Sequence, residues 1–199
     1  MKVVTGTSDT RTEHSSGTAK TGFAVSISIP ALLAIAGIIA LGWGAIYWLG
    51  AIVWGVVATF AFTLFSMMGK SMGMTRMDLL DLLGSMMVRP DSTASRSIGA
   101  VIHHMNGALL AIAWAYTVDM AGWPANWFTG LLWGMVLWLL ALMMMSTIGV
   151  IHPAIRRGEQ ADPGPGATNF GRMTPLGSLM GHAVYGIILG LLYQSWPLS

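Results

Sequence analysis

Four long stretches of the chain carry no Asp, Glu, Lys or Arg. They cover residues 23 to 68, 97 to 118, 120 to 151 and 173 to 199. A helix needs about 20 apolar residues to cross the hydrocarbon of a bilayer, so each stretch is long enough to span it. The first is too long for one ordinary span, and Gly42-Trp43-Gly44 interrupts it with two glycines and an aromatic residue typical of the interface. We therefore predict a helical hairpin there and five transmembrane helices.

This pattern predicts an all-α integral membrane protein whose last four helices form two related hairpins. A polar tail of residues 1–22 precedes an extra N-terminal transmembrane helix within 23–45, and residues 46–199 form a four-helix bundle. The predicted spans are 23–41, 46–68, 97–118, 126–149 and 175–196. Between the second and third spans, helically spaced apolar residues after Thr75, with Asp78 three positions later, predict a short interfacial helix at 75–87.

Composition and charge support a bilayer environment and indicate its orientation. Hydrophobic residues make up 54% of the chain and charged residues 9%, which excludes an ordinary soluble domain. The ten cations form three groups: Lys2, Arg11 and Lys20; Lys70, Arg76, Arg89 and Arg96; Arg156, Arg157 and Arg172. Only five spans place all three groups on one side, and cations favour the cytoplasm. We expect a multi-pass protein of the bacterial inner membrane with a cytoplasmic N-terminus and no nucleic-acid partner.

An internal repeat relates the second and third spans to the fourth and fifth. At an offset of 79 residues, Trp54-Gly55 recurs as Trp133-Gly134, and the pair His103 and Gly107 recurs as His182 and Gly186. Repeated helical hairpins often build a site at their shared interface. The alternative is a chance match of short apolar motifs, since glycine and leucine are abundant here.

Several short elements resemble a family of small bacterial four-helix membrane proteins of unknown function. These elements are Gly55-Val-Val-Ala-Thr59, the acidic and leucine-rich segment 77 to 84, His103, and the segment 173 to 182 that ends in His182. The resemblance covers about residues 51 to 194. It implies a membrane-helical fold but no activity, and the extra first helix departs from the family pattern.

An ionisable group inside a span is a default candidate site, and histidine is the candidate here because no Asp, Glu, Lys or Arg lies inside a predicted span. His103, His104 and His182 lie about two turns into their helices. Imidazole ligates haem, copper and zinc, and one histidine from each of two helices can hold haem b. We predict that His103 and His182 approach each other as a cofactor or metal site. Neighbouring residues differ by about 100° around a helix, so His104 should face elsewhere.

Three interpretations of these histidines stay open: a haem b or chlorophyll-type pigment site in which His104 also takes part, a copper or zinc site, and plain hydrogen bonds to neighbouring helices without any cofactor. Methionine is abundant, at 16 residues, and thioethers select Cu(I), but methionine also simply fills gaps between helices. The chain has no cysteine, which excludes disulfides, thiolate metal ligands and a cysteine nucleophile.

Two classes of function fit these observations. The first is an accessory or scaffolding subunit of a larger membrane complex in respiratory or photosynthetic electron transfer, with other membrane subunits as partners. The second is a metal-handling or small-solute permeation protein in which methionine and histidine line a path. An enzyme acting alone has the least support, because no catalytic motif is present.

Overall fold

The computed structural model describes residues 9 to 199, and within that range the chain is helical without any strand. Seven α-helices follow in order: α1 Asp9–Leu41, α2 Trp48–Ser71, α3 Leu79–Gly84, α4 Thr93–Met120, α5 Trp127–Thr147, α6 Pro153–Arg156 and α7 Thr174–Ser195. Short 3-10 helices cover Trp43–Ala45, Ile148–Val150 and Pro165–Phe170. The all-α fold predicted from the sequence is confirmed.

Five of the helices are long and apolar enough to cross a membrane: Ala19–Leu41, Trp48–Ser71, Thr93–Met120, Trp127–Val150 and Thr174–Ser195. Each begins and ends within a few residues of a predicted span. The predicted break is present, because Gly42 has φ 83° and a 3-10 turn follows it before α2. A left-handed φ costs glycine little, so the chain reverses there. The five apolar helices suggest a multi-pass protein in a lipid bilayer.

The first helix begins earlier than the apolar pattern predicts. Helix α1 starts at Asp9, inside the segment expected to be a polar tail, and runs without a break into the first span. Residues 1 to 8 of that tail, including Lys2, lie outside the described residues.

Each of the two predicted hairpins is held together by close approach of glycines. Helix α2 packs on α4, where a Cβ added to Gly55 would meet Ala111 and the backbone at Gly107. Helix α5 packs on α7, where Gly130 and Gly186 each face the other's carbonyl. Small residues of this kind let membrane helices approach each other's backbones.

The two hairpins differ in register by one helical turn. In the first, Gly55 faces Gly107, but their repeat partners Gly134 and Gly186 do not face each other. Gly134 instead approaches the carbonyl of His182. Residues four apart share a helix face, so the same type of contact forms one turn further along.

Helix α1 packs against both α4 and α5. Near its C-terminal end, Gly37 lies against the side chain of Tyr116 in α4; near the start of its apolar span Ala19–Leu41, Gly22 lies against Thr147 and Met143 of α5. Helices α4 and α5 touch each other very little. The extra helix therefore lies where these two helices diverge, while residues such as Ile39 stay on its exposed side.

Tryptophan and tyrosine tie the helices together at one end of the molecule, which we call the tryptophan end. Trp43 stacks on Trp48 with ring centroids 3.9 Å apart. The indole Nε1 of Trp54 donates to the carbonyl of Trp196 at 2.8 Å, and the backbone N–H of Tyr47 donates to the Tyr193 hydroxyl at 3.0 Å. These bonds fix the start of α2 against the end of α7.

The opposite end, which we call the charged end, carries the loops that contain arginine and lysine. Helix α3 is shorter than the predicted helix at 75–87, and its N-cap is Asp78, whose side chain accepts from the N–H of Asp81, rather than Thr75. It packs on α4 through Gly84 and Gly99. The loop between α5 and α7 contains α6, whose N-cap His152 is fully buried and donates from Nε2 to the carbonyl of Leu82 at 2.9 Å.

Candidate functional site

His103 and His182 meet in the bundle through the aromatic ring of Phe62. The ring of Phe62 in α2 lies edge-on to both imidazoles, with centroids 5.3 Å from His103 and 5.0 Å from His182. Phe62 itself is buried, with 8% of its surface exposed. Three helices therefore supply one aromatic cluster, in which each histidine packs against Phe62, a residue that the sequence did not single out.

Hydrogen bonds to the backbone fix the ring nitrogens of two of these histidines. Nδ1 of His182 lies 2.8 Å from the carbonyl of Ser178, and Nδ1 of His104 lies 2.7 Å from the carbonyl of Ala100. A carbonyl oxygen only accepts, so Nδ1 is the protonated nitrogen in both. The lone pair is then on Nε2, which is the arrangement that histidine ligands of metals commonly adopt.

His104 lies apart from the aromatic cluster, as its position next to His103 predicts. Its ring is 6.0 Å from that of His103 and packs at 6.4 Å against Phe60, whose side chain is 56% exposed. This places His104 near the outer surface of the bundle, between α2 and α4, and outside the cluster formed by Phe62, His103 and His182.

Polar atoms without partners lie inside the bundle. Among the described residues, Nε2 of His103 and Nε1 of Trp114 and of Trp133 are buried and have no hydrogen-bond partner. An unpaired buried polar group costs about 1 to 3 kcal/mol. His103 thus differs from His104 and His182, whose Nδ1 atoms are hydrogen-bonded to backbone carbonyls. Of the three histidines, it is the one whose Nε2 is buried without a hydrogen-bond partner.

The cluster fits the proposed ligands only in part. Paired Nδ1 atoms suit ligation through Nε2, but a haem or pigment shared by His103 and His182 would have to displace Phe62 or lie beside it. The described residues contain no group of three or more histidine, aspartate or glutamate side chains placed to hold a metal ion. Ligation of haem, pigment or copper stays a prediction.

A second polar feature lies at the charged end and was not predicted from the sequence. A cavity of about 470 Å³, which we call the charged groove, opens between the end of α2, the start of α3 and the start of α4. Its lining includes Ser66, Met67, Lys70, Asp78, Leu80 and Arg96. Lys70 Nζ and Arg96 Nε lie 2.7 Å and 3.1 Å from the same oxygen, Oδ2 of Asp78.

The carboxylate of Asp78 is stabilised in its charged form. Burial raises its pKa, but hydrogen bonds from Lys70, from the N–H of Asp81 and from Arg96 outweigh this and hold the pKa below the usual 3.8. A lowered pKa in the folded state stabilises the protein above the unfolded value, and this contribution is lost as pH falls through the folded pKa.

Replacing Asp78 with asparagine is therefore expected to lower stability at pH 7 more than at low pH. The difference in unfolding midpoint between the wild type and Asp78→Asn should shrink as pH falls from 5 to below 3.8, and thermal unfolding in detergent followed by circular dichroism would measure it. A constant difference across that range would show that the carboxylate charge does not contribute. Arg89→Gln, on the exposed loop outside the charged groove, is a suitable control.

A third feature lies on the outward side of α4. Val101, Met105 and Leu109 are 59%, 61% and 62% exposed, and with the flanking His104 and Asn106 they define what we call the α4 outer face. The Asn106 side chain is exposed and belongs to the middle of a helix of 28 residues. At 1.5 Å per residue it is about 20 Å from either end, near the middle of this apolar helix. Asn106 carries no charge, so the charge pattern of the sequence does not mark it.

In comparisons with known proteins, no protein family, no curated protein and no solved structure matches this chain.

Proposed function

We propose that the chain is an accessory or scaffolding subunit of a larger membrane complex, and that another subunit docks on the α4 outer face. The observation that carries this proposal is the exposed amide of Asn106 at the middle of a membrane-spanning helix. Lipid tails offer an amide no hydrogen bond, whereas a polar residue on a neighbouring transmembrane helix does. The partner is therefore a helix with a serine, threonine, asparagine or glutamine at the matching depth.

Packing inside the bundle favours a scaffold over a permeation path. Gly130 and Gly186 close the contact between α5 and α7, and Phe62, Trp114 and Leu189 belong to one continuous buried core. Such a core fixes the relative positions of the helices and so presents a rigid surface to a partner. On the α4 outer face, the polar Asn106 lies among exposed apolar side chains such as Met105 and Leu109.

Electron transfer is the finer form of the proposal. His103 and His182 would hold haem b or a chlorophyll-type pigment next to Phe62, and the subunit would position this group relative to its neighbours in a respiratory or photosynthetic complex. The paired Nδ1 atom of His182 supports ligation through Nε2. Copper bound by the same two imidazoles is the alternative.

Loss of the Asn106 amide is expected to weaken assembly. Asn106→Leu should reduce recovery of partner subunits from native membranes in mild detergent, because one interhelical hydrogen bond in a membrane contributes about 1 kcal/mol, or about five-fold in affinity. Asn106→Gln keeps both hydrogen-bonding groups and should retain most of the association. A photo-crosslinking residue at Met105 should capture a second subunit, whereas one at Ile39, 79% exposed on α1, should capture it less.

Three results would contradict this assignment. A chain that is monomeric in mild detergent and forms no crosslinked product at Met105 would have no partner subunit on the α4 outer face. Crosslinks only to a second copy of itself would indicate a homo-oligomer, not an accessory subunit. Equal recovery of partners with Asn106→Leu and the wild type would remove the amide from the interface.

The proposed orientation places the N-terminus and the charged end in the cytoplasm of a bacterial cell. Because the chain lacks cysteine, single cysteines can be introduced one at a time. With an impermeant thiol reagent added from outside, cysteines at Asp119 and Ser199 should react, and cysteines at Ser16 and Ser92 should react only after the membrane is opened. Outside labelling at Ser92 would reverse the proposed orientation.

A further inference from the structure

The charged groove lies where a bilayer changes from hydrocarbon to headgroups. Lys70 is the second-last residue of α2, and Arg96 is in the first turn of α4. Residues on the same surface of α2 towards its middle, Leu64 and Phe60, are 52% and 56% exposed. The groove therefore has polar groups at its outer end and an apolar helix surface leading away from it into the membrane.

Hydrogen-bond donors remain in the groove after the ion pairs have formed. An ammonium group has three N–H donors and a guanidinium five, and the structure pairs one from each with Oδ2 of Asp78. Oδ1 of Asp78 is occupied by the N–H of Asp81. Asp91 lies 3.7 Å from Arg96, but its side chain is 86% exposed to solvent. Among the charged side chains that line the groove, two cations thus face one carboxylate, so the lining keeps one net positive charge and unused donors, although Asp81 and Asp91 also act on Arg96 from outside the lining.

The other wall of the groove is apolar and continues onto the outer surface. Met67, which lines the groove, is 58% exposed, and Leu64 and Phe60 follow it along α2 over about 10 Å. Met77, Leu79 and Leu80 line the remaining side. A soluble phosphate compound would use the cations alone, whereas a lipid would also cover this apolar strip.

We propose that the charged groove binds an anionic glycerophospholipid of the adjacent leaflet, with its phosphate against Lys70 and Arg96 and one acyl chain along Met67, Leu64 and Phe60. Basic pockets at the ends of membrane helices bind anionic headgroups in this way. The phosphate contacts at Lys70 and Arg96 lie apart from the α4 outer face and from the histidine cluster. Only Phe60, at the far end of the apolar strip, borders the α4 outer face, through His104. Lipid binding therefore requires no partner or ligand at either of those places.

Native mass spectrometry of the full chain in a zwitterionic detergent tests the proposal, with phosphatidylglycerol titrated against phosphatidylcholine of the same acyl chains. Phosphatidylglycerol should bind in preference. Lys70→Gln and Arg96→Gln should each lower its affinity about five-fold, as expected for loss of one cation near a membrane surface. Lys70→Arg should keep the affinity, and Arg89→Gln, which removes the same charge outside the groove, should leave it unchanged.

Asp78→Asn separates lipid binding from a purely structural role. Removing this carboxylate frees both cations, so the affinity for phosphatidylglycerol should rise about five-fold even though the local ion pairs are lost. If Asp78→Asn instead weakens binding as much as Lys70→Gln, the three residues only hold the loop, and the proposal fails. It also fails if the two lipids bind equally, or if inorganic phosphate at the same concentration displaces phosphatidylglycerol.

Discussion

Adding a single methyl group at Gly186 is expected to destabilise the bundle strongly. The Cβ of alanine at this position would overlap the carbonyl of Gly130, and backbone atoms cannot rotate away as a side chain would. Helices α5 and α7 would have to separate along their contact. Overpacking of this kind costs typically about 1 to 3 kcal/mol and occasionally more, and we expect Gly186→Ala to reach the upper end of that range. Unfolding by SDS in mixed micelles would measure the loss.

Gly177→Ala provides the matched control in the same helix. A Cβ at Gly177 would meet no atom within 4 Å. Alanine is a better helix former than glycine by roughly 0.5 to 1 kcal/mol, so this variant should be as stable as the wild type or slightly more so. The two substitutions are chemically identical, but Gly186→Ala should lower the stability of the bundle and Gly177→Ala should leave it unchanged or raise it slightly. Equal effects would mean that α5 and α7 are not in close contact.

The fold could be predicted because the signals that determine it are local. The absence of charge over about 20 residues marks a span. The two glycines around Trp43 predict the break between the first two helices, and Gly42 has a positive φ there. The start of helix α3 was harder to predict, because Thr75 and Asp78 both have side chains that can cap a helix. The Thr75 hydroxyl accepts from the N–H of Met77 and from the hydroxyl of Thr174. The second contact is 99 residues away in sequence, so no local pattern contains it.

The sequence predicted the level of each histidine along its helix and the helix face on which it lies, but not which residues surround it. Two turns into two helices put His103 and His182 at a similar level, and the 100° step separated His104 from them. Which residue lies next to both imidazoles depends on how α2 packs against its neighbours, so Phe62 could not be found from spacing. The charged groove was missed for the same reason, because Lys70 and Arg96 are 26 positions apart and meet only when Asp78 joins them.

Replacing His103 with leucine is expected to stabilise the unliganded bundle by about 1 to 3 kcal/mol. The wild type buries Nε2 of His103 without a hydrogen-bond partner, and an apolar side chain of similar size removes this cost while keeping the contact with Phe62. His182→Leu is the matched comparison: it removes the bond from Nδ1 to the Ser178 carbonyl and should be neutral or destabilising by about 1 kcal/mol. A visible absorption spectrum recorded before SDS unfolding shows whether the purified protein carries haem or pigment.

The two variants together separate a ligand site from a structural cluster. If the histidines hold haem, the wild type should show a Soret band that both variants lose, and His103→Leu should then lower stability, because a bound ligand stabilises the folded state by mass action. If the histidines bind copper, the wild type should contain copper and both variants should lose it, as measured by metal content. His104→Leu should keep the ligand in either case, since its ring lies 6.0 Å from His103 and faces Phe60. A colourless, metal-free wild type that gains stability from His103→Leu would identify the cluster as structural and leave the α4 outer face as the functional surface.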